Sequence, residues 1–107
     1  MQGDEAHWED VGAVGDQAPG TGRRVVVAGS PLALFRTESG YAALADACPH
    51  AGAPLSEGVL RDGFVVCAWH GWKFDPATGA CPLFAGAPSA GSRRVKVEAG
   101  RVLVARA

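Results

Sequence analysis

Two short motifs govern what this chain can become: Cys48-Pro49-His50 and Cys67-Ala68-Trp69-His70, with the sixteen residues 51 to 66 between them. Thiolates and neutral imidazoles hold soft or borderline metals, and C-x-H or C-x-x-H spacing lets one tight loop aim both donors at a single point. Two such loops make a closed cage of four ligands. A zinc site in a small module usually takes its Cys pair first in sequence and its His pair last. The order here alternates, Cys, His, Cys, His, which suits a two-metal cluster in which each loop gives its Cys to one metal and its His to the other. A purely structural zinc module is the competing reading, and colour separates the two, since a zinc protein is colourless.

The remaining residues read as scaffold for that cage. Trp8 to Val14 predicts a first strand, with Trp8 packed in the core. Gly12 to Gly22 is loop by its Gly, Pro and Asp content. Arg23 to Ala28 is a β-branched run; Gly29-Ser30-Pro31 turns it, and Leu32 to Thr37 returns beside it. Glu38-Ser39-Gly40 then leads to Tyr41 to Leu44. Asp46 to Glu57 forms the first ligand loop. Val59 to Arg61 and Phe64 to Cys67 flank Asp62-Gly63, a strong two-residue hairpin signal that carries Cys67 back toward Cys48. Ala68 to Trp72 is the second ligand loop, followed by a short strand at Lys73 to Phe74 and a turn from Asp75 to Gly79. Arg93 to Glu98 and Arg101 to Ala105 close the chain as a hairpin with Val95, Val97, Val102 and Val104 on one face. No window is long enough for a helix, so the fold class is all-β, built of small antiparallel sheets. Residues 1 to 6 are expected to fray.

Composition bounds the rest. At 107 residues the chain is expected to form one domain spanning 1–107, and 48% apolar with 20% charged residues marks it as globular. A net charge of −1 gives no footprint for nucleic acid. No apolar run approaches the roughly 20 residues of a membrane span. The opening MQGDEAHWED lacks a signal-peptide core, and the apolar run after Arg23-Arg24 extends only from Val25 to Ala28. Three cysteines fit a reducing compartment, so a cytoplasmic location is expected. Charge is uneven: residues 1 to 16 hold five acids and no Lys or Arg, whereas 93 to 107 hold five bases and one acid, a solvated surface or a steering field for a partner.

The spacing of the four Cys and His residues, together with Gly52, Pro54, the run Gly71-Trp72-Lys73-Phe74-Asp75 and Thr78-Gly79, closely resembles the Rieske-type [2Fe-2S] ferredoxins and Rieske domains. The resemblance extends from Trp8 to the last strand near Val104. It implies a [2Fe-2S] cluster in which Cys48 and Cys67 hold the iron that stays ferric, and His50 and His70 hold the iron that accepts the electron. With neutral imidazoles in place of two thiolates, the oxidised centre is about neutral, and the potential lies at roughly −150 to +300 mV against about −400 mV for plant-type ferredoxins. The resemblance also places Ala53 and Trp69 where quinol-oxidising members carry a disulfide, and Trp72 and Phe74 where those members carry hydroxyl donors to the cluster. With fewer donors the reduced state is less stabilised, so the low end of that window is expected. The segment from Cys81 to Gly91 resembles the loop that covers the cluster, with Pro82 or Pro88 as the covering residue. Cys81 itself reads as a small buried apolar residue, and His7 as solvated surface. Trp69 and Trp72 read equally as packing or as an apolar docking rim.

The implied function is an electron carrier, with no catalysis of its own, that takes one electron from a flavin-dependent reductase and passes it to a terminal oxygenase. A monomer without membrane or nucleic-acid partners is expected. Histidine arithmetic favours carrier over oxygenase: a mononuclear iron needs two His and a carboxylate, and His7 alone remains once the cluster is built. The alternative is a small Rieske-like subunit of an assimilatory nitrite reductase.

Overall fold

The computed structural model describes residues 7–49, 52–69, 71–83 and 85–107. Their strands are β1 (Trp8–Ala13), β2 (Gly22–Val27), β3 (Ser30–Thr37), β4 (Gly40–Ala45), β5 (Val59–Arg61), β6 (Phe64–Val66), β7 (Lys73–Phe74), β8 (Ser92–Arg93), β9 (Val95–Glu98) and β10 (Arg101–Ala105). They form three antiparallel sheets, ordered β1-β10-β9, β2-β3-β4-β8 and β5-β6-β7. This is the all-β architecture of small sheets that the sequence predicts. The expected fraying of residues 1 to 6 lies outside the described residues.

β3 explains how three sheets share one molecule. Its run Leu32, Ala33, Leu34, Phe35 is buried at every position, so both faces of the strand are covered. Side chains alternate across a strand, and the two faces separate into two cores. Ala33 and Phe35, with Leu44 of β4, face a cluster containing Cys48, Ala53, Leu55, Val65, Cys67 and Phe74. Leu32 and Leu34, with Val25, Val27 and Ala43, face Val102 and Val104 of β10. The four-stranded sheet is therefore a shared wall between the cysteine side and the side formed by β1, β10 and β9. At Gly22 a β-carbon would sit 2.6 Å from the Phe35 ring, so only glycine leaves room for that ring in the cysteine-side core.

Three hairpins turn on two residues, each with φ above zero at both: Ala28-Gly29 (50° and 81°), Asp62-Gly63 (54° and 82°) and Ala99-Gly100 (53° and 77°). Such turns match the right-handed twist of the strands they join. The Asp62-Gly63 hairpin falls where the sequence predicts it. The first turn does not: it is Ala28-Gly29 rather than Gly29-Ser30-Pro31, and Ser30 and Pro31 pair with Val27 and Val26 inside the sheet. Pro31 accepts the Asp46 N–H at 3.1 Å but has no N–H to return, so the β3–β4 ladder ends there and the chain is released into the first loop.

The predicted strand from Arg93 to Glu98 is two strands in different sheets. Ser92 and Arg93 pair with Leu44 and Ala43, whereas Val95 to Glu98 pair with β10. Val97 is exposed on the edge strand, unlike buried Val102 and Val104. Trp8 stands outside both core clusters. Its ring is covered instead by the cations of Lys96 and Arg94, 4.4 and 5.2 Å from the ring. The uneven charge of the sequence resolves in the same sheet. Pairing of β1 with β10 brings Asp10 to Arg101 (2.9 Å) and Glu9 to Arg106 (3.8 Å), so acids and bases from opposite ends of the chain neutralise each other. Among the described residues, no helix is long and apolar enough to cross a membrane.

Candidate metal centre

The two cysteine loops have one backbone design. In the first, the Cys48 N–H donates to the Ala53 carbonyl (2.7 Å) and the Gly52 N–H donates to the Cys48 carbonyl (2.6 Å). In the second, the Cys67 N–H donates to the Trp72 carbonyl (2.8 Å) and the Gly71 N–H donates to the Cys67 carbonyl (3.0 Å). Each cysteine thus reaches five residues ahead and is reached from four residues ahead. Gly52 and Gly71 close the loops at φ of 75° and 72°, a left-handed conformation that glycine adopts without steric cost. His50 follows Cys48 by two residues and His70 follows Cys67 by three, so both fall within these closed loops in sequence. Both expected imidazole ligands lie outside the described residues, as does Ala51.

The structure brings the two cysteines together. Cys48 is 1% exposed and Cys67 2%, both in one apolar cluster, and neither is in a disulfide. A buried thiol away from charge is ordinarily inert, whereas paired buried sulfur donors in a dry pocket suit a soft metal, whose charge offsets the desolvation of two thiolates. The donor chemistry of the described half of the site therefore fits an iron–sulfur centre. Among the described residues no group of three or more His, Cys, Asp or Glu side chains is gathered.

The surroundings of the loops are apolar. Ala53 and Phe74 are fully buried, so the positions compared with a disulfide and with a hydroxyl donor carry neither. The two tryptophans divide the roles the sequence left open. Trp72 packs against the cysteine-side core, and Trp69 is 58% exposed at the tip of the second loop. Cys81 is half-buried against the same core, consistent with a packing role, while Pro82 and Pro88 are both exposed. His7 is exposed, as expected.

Sequence reasoning missed Asp46, which is buried at 6% exposure. Its carboxylate accepts the Ser56 N–H (2.6 Å) and the Ser56 hydroxyl (2.7 Å), with Arg24 Nη1 at 3.5 Å. An aspartate two residues before Cys48 gives no pattern by which to expect burial. The one available signal is the serine ten residues on, beside the apolar Leu55. An open cavity of about 810 Å³ lined by Arg36, Glu38, Ser39, Leu60 and Asp62 among others adjoins the turn end of β5 and β6 and touches neither cysteine.

Comparison with known proteins places these features. A family model described as the Rieske [2Fe-2S] domain matches residues 7–97. The ferredoxin CarAc of Metapseudomonas resinovorans is 38% identical over 99 residues, 92% of each chain. A chain in the solved complex of reduced oxygenase and oxidized ferredoxin in carbazole 1,9a-dioxygenase superposes with a TM-score of 0.81 at 38% identity, covering 91% of this chain and 100% of that one. A structure described as an NADH-dependent nitrite reductase small subunit from Mycobacterium tuberculosis gives a TM-score of 0.86 at 29% identity, covering 94% and 95%. Against larger proteins the match is partial: the chain is 42% identical to 4beta-methylsterol monooxygenase of Methylococcus capsulatus but spans only 20% of its length.

Proposed function

The chain belongs to the Rieske [2Fe-2S] domain family, and from that premise we propose that it is a one-electron carrier serving a terminal oxygenase. A Rieske domain binds a [2Fe-2S] cluster. In this chain Cys48 and Cys67 hold one iron, His50 and His70 the other, and residues 1–107 act as a single domain. When bound, the cluster supplies reversible one-electron transfer. The observation that carries the reading is the pair of matched loops that bury Cys48 and Cys67 in one apolar cluster.

The chain's own residues then do three things. Gly52 and Gly71 fold each loop back on its cysteine, which fixes where the sulfur points. Leu55, Val65 and Phe74 keep water from the thiolate side. Ala53, Trp72 and Phe74 bring no hydroxyl to the site, so the reduced state gains little from donors, and the potential sits at the low end of the Rieske window.

The electron arrives from a flavin-dependent reductase and leaves to the oxygenase, and the carrier works as a monomer in the cytoplasm. Similarity to the ferredoxin of the carbazole dioxygenase complex favours the oxygenase as acceptor. The likeness to the nitrite reductase small subunit favours a second reading, a subunit of a larger flavoprotein assembly.

One experiment separates the two. Purified protein, reconstituted anaerobically, is assayed for iron and acid-labile sulfide and then mixed with an added flavin reductase and cytochrome c. A red-brown monomer that relays electrons supports the carrier. Isolation from its native cell only in complex with a large flavoprotein supports the subunit. Absence of iron and labile sulfide overturns both.

A further inference from the structure

The two cysteine loops share a backbone design but differ in how their ends are closed. The second loop leaves β6 and enters β7, which pair with each other through Val65 with Phe74 and Val66 with Lys73, so a ladder clamps its base. The first loop leaves β4 and leads to β5, which belong to different sheets. No ladder joins those two strands.

We propose that the Asp46 carboxylate stands in for that missing ladder and is a positioning residue for Cys48. Among the described residues Asp46 is the single buried charged side chain, and its side chain is wholly inaccessible. It sits at the entrance of the loop, held to β3 by its N–H to the Pro31 carbonyl. Its two oxygens grip Ser56 at the exit, one at the backbone N–H and one at the hydroxyl. The grip thus spans the segment that contains Cys48 and Gly52. Ser56 follows Leu55, which is fully buried beside both cysteines, so the brace also seats that side chain. Arg24 of β2 lies 3.5 Å from the carboxylate and offsets its buried charge from the half-exposed side. Hydrogen bonds donated to a buried carboxylate are the stronger kind, and a buried charge left without them is costly.

The brace predicts an asymmetry between the loops, and the proposal rests on the cluster reading only for its iron-release and paramagnetic-resonance arms. Three variants are compared with the wild type: Asp46→Ala, Ser56→Ala and Asp46→Asn. Asparagine keeps one oxygen for the Ser56 N–H and turns an N–H₂ toward the Ser56 hydroxyl, so it preserves the tether without the charge. In the holoprotein, iron release to a chelator is expected to accelerate roughly tenfold to a hundredfold in Asp46→Ala, less in Ser56→Ala, and within about threefold of wild type in Asp46→Asn. The reduced-state electron paramagnetic resonance lines broaden in the same order. In the protein as isolated, amide exchange at Cys48 and Gly52 rises in the alanine variants, while exchange at Cys67 and Gly71 stays at the wild-type rate.

Equal acceleration in both loops reduces Asp46 to a general stability residue and overturns the proposal. So do wild-type release and exchange in Asp46→Ala. If Asp46→Ala does not fold, the comparison of Ser56→Ala with Ser56→Thr decides, since threonine retains the hydroxyl; identical behaviour of the two overturns it. A wild-type protein that holds no iron or labile sulfide sinks the carrier reading and leaves the exchange comparison intact.

Discussion

Gly79 lies directly beneath Ala90: the Ala90 N–H donates to the Gly79 carbonyl at 2.8 Å, and a β-carbon on Gly79 would overlap the carbonyl oxygen of Ala90. Ala90 is buried in the core that holds both cysteines. Gly79 itself is set by a turn in which its N–H bonds to the Asp75 carbonyl (2.7 Å), and Asp75 Oδ1 accepts the N–H groups of Ala77 (2.8 Å) and Thr78 (3.2 Å). Among the described residues, the Gly79–Ala90 contact therefore ties together the two ends that flank residues 81–89.

Gly79→Ala combines a left-handed φ of 78° with that overlap, whereas Gly86→Ala has a similar φ of 81° and open space around it. The second substitution is expected to cost about 1 kcal/mol from backbone strain alone, and the first about 3 kcal/mol or more because the backbone must shift. Thermal melting of the two variants side by side checks this. Equal melting temperatures would show that the contact with Ala90 does not constrain the segment.

Ala28 and Ala99 occupy left-handed turn positions where Asp62 shows the better-suited residue type. Both alanines are exposed, so substitution meets no packing. Ala99→Asn is expected to stabilise the protein by about 0.5–1 kcal/mol, because asparagine tolerates this conformation better than alanine. That corresponds to a rise of a few degrees in melting temperature for a chain of this size.

The Asp10 carboxyl titrates below its ordinary value, chiefly because the Arg101 guanidinium donates to it and then because the Gly12 N–H does. A carboxyl depressed in the folded state stabilises the fold above its unfolded value, and the contribution fades in acid as the pH falls through the lower folded value. Arg101→Ala is thus expected to return the Asp10 titration, followed by carboxyl carbon resonance, toward the ordinary 3.8. The stability difference between variant and wild type is expected to be small, since both side chains are about half exposed, and to shrink in strong acid and in about 1 M salt. A difference that persists in acid would show that Arg101 acts through packing instead.

His70→Cys replaces a neutral donor by a thiolate. If His70 is a ligand, the added negative charge lowers the midpoint potential in protein-film voltammetry, and an unchanged or higher value counts against the assignment. Cys81→Ala, by contrast, is expected to leave the visible spectrum as it is, because Cys81 packs beside the core without belonging to either loop.

The approach of Cys48 and Cys67 to one core was legible because the spacing that pairs their loops is a local pattern that does not depend on the rest of the fold, whereas His50 and His70 lie outside the described residues. The hairpin at Asp62-Gly63 was legible for a similar local reason. Ala28-Gly29 was not, since alanine hides a left-handed turn that asparagine or aspartate would announce. The break between Arg93 and Val95 was illegible too: both halves are good strand sequence, and only their partners in space, β4 and β10, divide them. Trp8 misled because an aromatic residue usually goes inside, and the cations that cover it, Arg94 and Lys96, come from a segment nearly ninety residues later. Asp46 was invisible for the converse reason, being a charged residue in a place charges seldom occupy.

Because neighbouring residues of β3, and Ala43 and Leu44 of β4, look into opposite compartments, the described residues form two interiors that meet across those two strands. Changes behind Leu32 and Leu34 can alter robustness without disturbing a cysteine, while a change at Ala33 or Phe35 reaches the redox chamber at once. Such a chain can drift along its outer half and still conduct.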